Sequence, residues 1–521
     1  MKSNRTYITK VSLIVALGGF IMGFDASVIS GVLKFIVAKF ELTDIQTGWA
    51  VGCITLTATL AMLVSGPLSD KFGRKKILKA AALLFAVSAF TSAMSNEFWF
   101  FIIARMLGGF GVGASLIIAP MYIAEISPPK MRGKMVSFNQ LNIVLGLSAA
   151  FFSNYLILKL GNSDASWANS INLGENNWRW MLGIEALPAI LYFIFLFIVP
   201  ESPRWLAING EEEIALKIMT KASGKELAIR EIQAVKESVK SDVNKEKISL
   251  SELFKPAMRF VLLIGIVVAV LQQITGINSV FFYSTTIFEQ TGVGEDASFT
   301  QAIYLGIINV LFTVLAMWLI DKIGRKPLLL IGVSGIAISM FVISASFSSA
   351  TFQLDKASIT ELNKTIQEDR IFELDGKTYD SDIEFRNAIN KVLGPEIAKK
   401  HGDNLIKSAI NINSVLVLVG ILAFVASFAI SLGPVMWVLL SELFPNRLRG
   451  LAISFVGFIN SGVSFTVQLV FPWELANIGN AGTFLIYGAF AVVGLIFIVT
   501  LIPETKGKSL EELEKILVKS K

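Results

Sequence analysis

Asp70-Lys-Phe-Gly-Arg-Lys-Lys76 recurs as Asp321-Lys-Ile-Gly-Arg-Lys-Pro327, and each copy sits in a short basic gap between long apolar runs. A motif repeated in that setting marks an internal duplication threaded through a membrane, and paired membrane halves point to a carrier. Two further landmarks repeat in the same order. Glu125 to Arg132-Gly133 answers Glu442 to Arg449-Gly450, and Pro200-Glu201 answers Pro503-Glu504. From Asp70 to Arg132 is 62 positions, whereas from Asp321 to Arg449 is 128, so the second half carries 66 extra residues between these landmarks. A polar run from Ala350 to Asn411 accounts for the excess.

The 521 residues are 54% hydrophobic with a mean hydropathy of +0.64. The apolar residues fall in blocks close to the ~20 residues a helix needs to cross a bilayer. Twelve spans are predicted: near 11–33, 45–68, 77–95, 98–126, 134–158 and 178–199, then 258–289, 298–320, 327–349, 412–440, 450–472 and 480–502. The first carries Asp25 and no small-residue cleavage site precedes it, so a retained helix is expected rather than a signal peptide.

Lys and Arg collect in the even-numbered gaps, at Lys71 to Lys79, Lys130 to Lys134, Lys322 to Lys326 and Arg447 to Arg449. The gap from Gln290 to Ser298 holds only Glu295 and Asp296. The positive-inside rule then places both termini and the even gaps in the cytoplasm. The net charge of +6 reflects that orientation, and nothing points to nucleic acid. A single cysteine, Cys53, excludes an intrachain disulfide, and a single histidine, His401, leaves no metal cluster; no cofactor is expected. With no nucleophile-base pair or phosphate loop in view, an enzyme is not expected either.

The fold class expected is an all-α membrane protein, twelve transmembrane helices in two pseudo-symmetric six-helix bundles. Its parts are 1–206, an N-terminal bundle; 207–257, a cytoplasmic helical linker; 258–349 and 412–502, the two parts of the C-terminal bundle; 350–411, an extracytoplasmic insert; and 503–521, a cytoplasmic tail. Within the insert, Ser358-Ile-Thr-Glu361 reads as a capping box, Asp375-Gly376 as a hairpin turn, and Asp382 to Leu393 as a helix ended by Gly394-Pro395. Ser251 reads as a start signal before the seventh span.

The chain resembles the sugar porters of the major facilitator superfamily, most closely the bacterial xylose/proton symporter type. The residues that carry the likeness are Gly23-Phe24-Asp25, Asp70 to Lys76, Arg105-Met-Leu-Gly-Gly, Pro120 to Glu125, Arg132-Gly133, Pro200-Glu-Ser-Pro-Arg204, Gln272-Gln273 with Gly276-Ile-Asn278, Asp321 to Pro327, Gly433-Pro434 with Trp437, and Pro503-Glu-Thr-Lys-Gly507. The resemblance implies that Asp25 and Arg105 pair and that Asp25 takes up the coupled proton. It implies a sugar site of Gln140, Gln272, Gln273, Asn278, Asn309, Trp437 and Asn460. It also implies a cytoplasmic gate of Arg74, Glu125, Arg132 and Glu201 in one half with Arg325, Glu442, Arg449 and Glu504 in the other.

Physical chemistry agrees with those residue types. Charges inside a span are expensive and need a reason. Side-chain amides donate and accept as sugar hydroxyls do, and an indole covers the apolar face of a pyranose. For any lone amide an interhelical hydrogen bond is an equal reading, and for the gate charges topogenic orientation is another. Gly276 and Gly433-Pro434 are expected to interrupt their helices beside the ligand. Glu185, a further intramembrane carboxylate, carries no assigned role.

Two residues depart from the family pattern: Phe282 stands where a tyrosine is expected, and Ser461 where many relatives have tryptophan. Proton-coupled monosaccharide import across the cytoplasmic membrane is the leading expectation, with an uncoupled sugar or polyol facilitator and a non-transporting receptor as rivals. Sugar, proton and lipid are the expected partners, and a monomer is expected.

Overall fold

The computed structural model describes residues 4–243, 249–445, 447–506 and 512. Residues 244–248 of the linker, and 507–511 and 513–521 of the tail, lie outside the described residues. Among those described, twelve helices are long and apolar enough to cross a membrane. The first six are Arg5–Phe40, Asp44–Phe72, Arg74–Ala93, Phe98–Ile126, Met131–Gly161 and Asn177–Phe195. The last six are Arg259–Phe282, Glu295–Ile320, Arg325–Ser348, Ser414–Leu443, Arg449–Asn477 and Gly479–Leu501. The first span extends beyond its apolar block at both ends, because the flanking Arg5 to Lys10 and Lys34 to Phe40 continue the same helix.

The chain packs as two compact units, Met1–Val28 with Cys53–Ser153 and Leu160–Ser249, and Ile29–Gly52 with Asn154–Lys159 and Leu250–Lys521. In the second unit Ile29–Gly52 is fastened by named contacts. Ser30 and Ser284 share a hydroxyl hydrogen bond of 3.0 Å, and Lys34 pairs with Glu289 at 3.2 Å and Glu295 at 2.8 Å.

Helix interruptions are few and each has a local cause. The seventh span breaks at Gly276, whose φ of +87° suits glycine, and resumes as Ile277–Phe282 and Ser284–Glu289. The tenth breaks at Ser431, two residues before the expected Gly433-Pro434. Pro434 lies in the first turn of the new helix Leu432–Leu443, where a missing N–H removes no intrahelical bond. The sixth span turns at Ile184-Glu185.

On the linker side, Pro203–Ile208, Glu212–Ser223 and Lys225–Val243 are helices, with Leu206, Ala215, Met219, Ala228 and Ile232 forming their own small core. Ser251 lies inside a short 3-10 turn, Leu250–Phe254, rather than opening a helix, and the seventh span starts at Arg259.

The insert is ordered, with a core of Phe352, Leu354, Ile359, Ile371, Leu374, Phe385, Ile389, Leu393 and Leu405. Three short antiparallel strands, Thr378–Tyr379, Thr351–Gln353 and Ile410–Asn411, lie side by side in that order. Asp382–Leu393 is the expected helix, ended at Gly394. Two local expectations are corrected. Asp355, in extended backbone, caps helix Lys356–Ile366 by accepting from the Ser358 N–H at 2.8 Å, so Ser358 is not the cap. Asp375-Gly376 turns the chain out of a 3-10 helix, and the strands that pair there are separated by helices, so no hairpin forms.

Candidate functional site

The first unit holds a sealed ion pair. Asp25, midway along the first span, is 1% exposed, and Arg105, on the fourth, is 2% exposed. Arg105 donates from one terminal nitrogen to Asp25 Oδ1 at 2.9 Å. Asp25 Oδ2 and Arg105 Nε are buried without a hydrogen-bond partner among the described residues. Each member therefore uses one contact where a fork-to-fork pair would use two. Glu185 is also buried, with Oε1 unpartnered among the described residues, and its charge acts on Asp25 and Arg105. The residue left unassigned by the sequence thus belongs to the same cluster.

The second unit holds a closed circuit of amides. Gln272 donates to the Leu432 carbonyl at 2.9 Å and accepts at Oε1 from Gln273 at 3.1 Å and Asn460 at 2.9 Å. Gln273 donates its second proton to Asn460 Oδ1 at 3.2 Å and accepts from Asn278 at 2.9 Å. Asn460 donates to the Ala269 carbonyl at 2.8 Å, and Asn278 to the Ser464 hydroxyl at 2.6 Å. Both amide protons of Gln273, Asn278 and Asn460 are committed, and Asn278 Oδ1 is the oxygen that accepts nothing in this circuit. Buried polar groups that satisfy one another in this way avoid the desolvation penalty of a lone amide.

Trp437 stands beside Gly457, one turn before Asn460, with its indole 45% exposed. Asn309 is buried on the eighth span and, among the described residues, makes no hydrogen bond to the amide circuit. Gln140 is exposed on the fifth span, in the first unit. So the structure gathers Gln272, Gln273, Asn278 and Asn460, sets Trp437 close by, and leaves Asn309 and Gln140 outside the hydrogen-bonded set.

Sequence reasoning missed Ser464 and Gln468. Gln468, fully buried, donates to the Ser464 hydroxyl at 2.8 Å, while its carbonyl accepts from the Tyr283 hydroxyl at 2.7 Å. The signal was present: Asn460, Ser464 and Gln468 recur every fourth residue on one face of an apolar helix.

The charges of the repeated motifs close within each unit. Arg74 donates from Nε and a terminal nitrogen to both oxygens of Glu125, at 3.1 and 3.0 Å, and Ser202 also donates to Glu125. Glu201 accepts the backbone N–H of Lys75 at 3.0 Å, which caps the third span. In the second unit Arg325 pairs with Glu442 at 2.8 Å, Thr505 donates to Glu442, and Glu504 accepts the N–H groups of Arg325 and Lys326 at 3.1 Å each. Gly73 and Gly324 make this fit, with φ of +95° and +106° and no side chain to strike Glu201 or Glu504. Arg132 and Arg449 do something different: each donates from Nε to a nearby backbone carbonyl, of Ala124 and Phe444.

The family profile described as sugar (and other) transporter matches residues 11–361 and 397–517. The chain is similar to the arabinose-proton symporter of Bacillus subtilis, 35% identical over 98% of this chain and 96% of that protein. It is similar to the D-xylose-proton symporter of Escherichia coli, 33% identical over the same shares. Its fold matches the inward open conformation of the xylose transporter XylE from E. coli with a TM-score of 0.74, at 31% identity over 98% of this chain and all of that one. Twelve spans in two six-helix bundles are the fold of these major facilitator transporters, and this chain is a multi-pass membrane protein with that fold. By profile, identity and fold together, the chain belongs to the sugar transporter family.

Proposed function

We propose that this chain imports a monosaccharide, a pentose or hexose, together with a proton, by alternating access of two six-helix bundles. The observation that carries the reading is the sealed Asp25–Arg105 pair, whose aspartate keeps one oxygen free of any partner among the described residues. An uncoupled carrier has no use for so costly a group inside a span. Protonation of Asp25 removes an attraction worth about 4 kcal/mol for a contact pair at an effective dielectric near 20, and frees Arg105 to reorient. A proton thereby biases which arrangement of the first unit is preferred.

The amide circuit supplies the other half of the reading. A sugar hydroxyl donates and accepts, so it can replace one amide-to-amide bond without stranding either group. Each exchange is close to neutral, which suits a site that must release what it binds. Trp437 offers an apolar face for the ring, and Gln140 and Asn309 are proposed as further contacts. The Arg74–Glu125–Glu201 and Arg325–Glu442–Glu504 clusters, with Arg132 and Arg449, are proposed as the cytoplasmic gate. The sequence divisions at 206, 257, 349, 411 and 502, cytoplasmic termini and a monomeric carrier complete the proposal.

Counterflow in proteoliposomes against D-xylose, L-arabinose, D-glucose and polyols, with external pH recorded, tests substrate and coupling together. Asp25→Asn is expected to retain sugar exchange and lose uphill accumulation. Full accumulation by that variant would remove the coupling role.

A further inference from the structure

The seventh span carries two of its sugar-site amides before the Gly276 break and one after it, so the angle at Gly276 sets how Gln273 and Asn278 face each other. A ring from the twelfth span packs against that break. Tyr487 is 2% exposed and sets its Cδ2–Cε2 edge against Gly276, so close that any side chain at 276 would run into it. The ring stacks on Phe471 with centroids 6.3 Å apart and an interplanar angle of 23°, and Phe471 in turn contacts Tyr283 at 5.0 Å. The Tyr487 hydroxyl also lies near Ser279, in the same turn as Asn278.

The hydroxyl itself donates to Glu474 Oε2 at 2.8 Å. Glu474 is half-buried near the end of the eleventh span, and among the described residues no cation pairs with it. A partly buried carboxylate held by a tyrosine rather than by a Lys or Arg is an uncommon expense inside a membrane span, and it asks for a purpose.

We infer that Glu474 is a positioning residue for sugar binding: through the Tyr487 hydroxyl it clamps the ring against Gly276 and so holds Asn278 in register with Gln273. Glu474 touches no ligand in this account. Its effect passes through Tyr487 to the hinge, and from the hinge to the Asn278–Gln273 and Asn278–Ser464 bonds. The inference rests on the sugar-site reading of those amides.

Two measurements separate its failure from that of the sugar reading. Amide hydrogen exchange over residues 276–283, in the purified full-length protein without sugar, reads the clamp directly. Glu474→Ala and Tyr487→Phe are each expected to speed exchange there, and Glu474→Gln, which still accepts from the hydroxyl, to restore protection. Sugar counterflow with the panel above then reads the consequence. Both disruptive variants should raise the apparent KM about tenfold, with the maximal rate retained, because one charge-assisted hydrogen bond is lost. The double variant should be no worse than either alone, since the two residues act as one unit.

Unchanged exchange at 276–283 in both variants overturns the clamp, as does faster exchange with an unchanged KM. A fall in maximal rate without a change in KM assigns Glu474 a merely structural part and also overturns it. Should the parent protein move none of the sugars, the sugar reading fails, and the exchange data still decide the clamp. Tyr487→Phe keeps the ring and its packing, so the test survives a misfolded Glu474→Ala.

Discussion

The two halves are near copies at the helix ends that carry the repeated motifs and unlike in their middles. The bonds of Glu125 to Arg74 and Ser202 and of Glu201 to the Lys75 N–H match those of Glu442 to Arg325 and Thr505 and of Glu504 to the Lys326 N–H, down to Lys75 and Lys326 donating to the carbonyls of Phe197 and Val499. Midway through the membrane the resemblance ends. The first unit buries an ion pair and a second carboxylate, Glu185, and the second gathers amides and hydroxyls beside the half-exposed Trp437. Duplication preserved the part that closes helix ends, where every helix has the same unsatisfied groups to cap. It released the middles of the spans, where one half came to hold charge and the other amides and hydroxyls.

The sharpest break of this comparison comes from exchanging what each middle can do. Asp25→Asn should abolish accumulation while leaving sugar affinity close to the parent value. Gln272→Ala should do the reverse. Gln272 holds three bonds of the amide circuit, so its loss strands Gln273 and Asn460 donors and is expected to raise the apparent KM by tenfold or more. Accumulation at saturating sugar should remain proton-driven. Paired measurements of KM and accumulation ratio check both; equal effects of the two variants on both quantities would erase the division of labour.

At these motif-bearing ends the copies are not equally buried. The Arg74 and Glu125 side chains are 7% and 8% exposed, against 12% and 20% for Arg325 and Glu442. A better-buried pair loses more when one partner is removed, because the other charge is left with less water. Glu125→Gln is therefore expected to shift the carrier toward cytoplasmic opening more than Glu442→Gln. The difference should be several-fold in the labelling rate of single cysteines introduced beside the two clusters, and equal rates would mean that the two clusters serve as one interchangeable device.

The spans were legible because each is a nearly unbroken apolar block of membrane length, and the paired motifs set the register between halves. Charged and amide residues inside those blocks were legible for the same reason, since the bilayer makes them conspicuous. What could not be read was which polar residues meet. Ser464 and Gln468 look like two more weak polar residues in a span until Asn278 and Tyr283 are seen to bond them. The tenth-span break was misplaced for a related reason. Gly433-Pro434 carries the stronger sequence signal, yet proline is accommodated in a first helical turn, and Ser431 takes the irregular backbone. In the insert, Asp355 and Ser358 both offer capping side chains three residues ahead of a plausible partner, and only the extended backbone at Asp355 decides between them.

The insert exists in the second half alone, and it has an anchor that the first half lacks. Asp382, in the first turn of its helix, accepts from the Asn480 backbone N–H at 2.9 Å and side-chain amide at 3.2 Å, at the N-terminus of the twelfth span. The carboxylate thus caps a transmembrane helix from a separate small core. Asp382→Ala is expected to cost about 1 kcal/mol of local stability. Hydrogen exchange should rise over residues 479–483 and stay unchanged at Phe385 to Leu393, whose core is independent. Exchange rising across the whole insert would show instead that the membrane anchor holds the insert folded.

The smallest effect concerns how each half meets the linker. In the second, Arg447 pairs with Glu252 at 3.3 Å on an exposed surface, so salt should weaken that contact. In the first, Glu231 of linker helix Lys225–Val243 has both carboxylate oxygens buried without a hydrogen-bond partner among the described residues. Burial pushes its carboxyl above the usual range, and the nearby Arg132 charge opposes that only in part. A carboxyl raised in the folded state holds its proton more tightly there than in the undocked chain. Docking is then strongest below the ordinary carboxylate range and weakens as pH rises through the raised value. Exchange over residues 225–237, corrected for the intrinsic pH dependence of the amides, is expected to increase modestly with pH in the parent and to lose that trend in Glu231→Gln. A trend that follows salt rather than pH would place this contact in the same class as Arg447–Glu252, and the two halves would then meet the linker in one way.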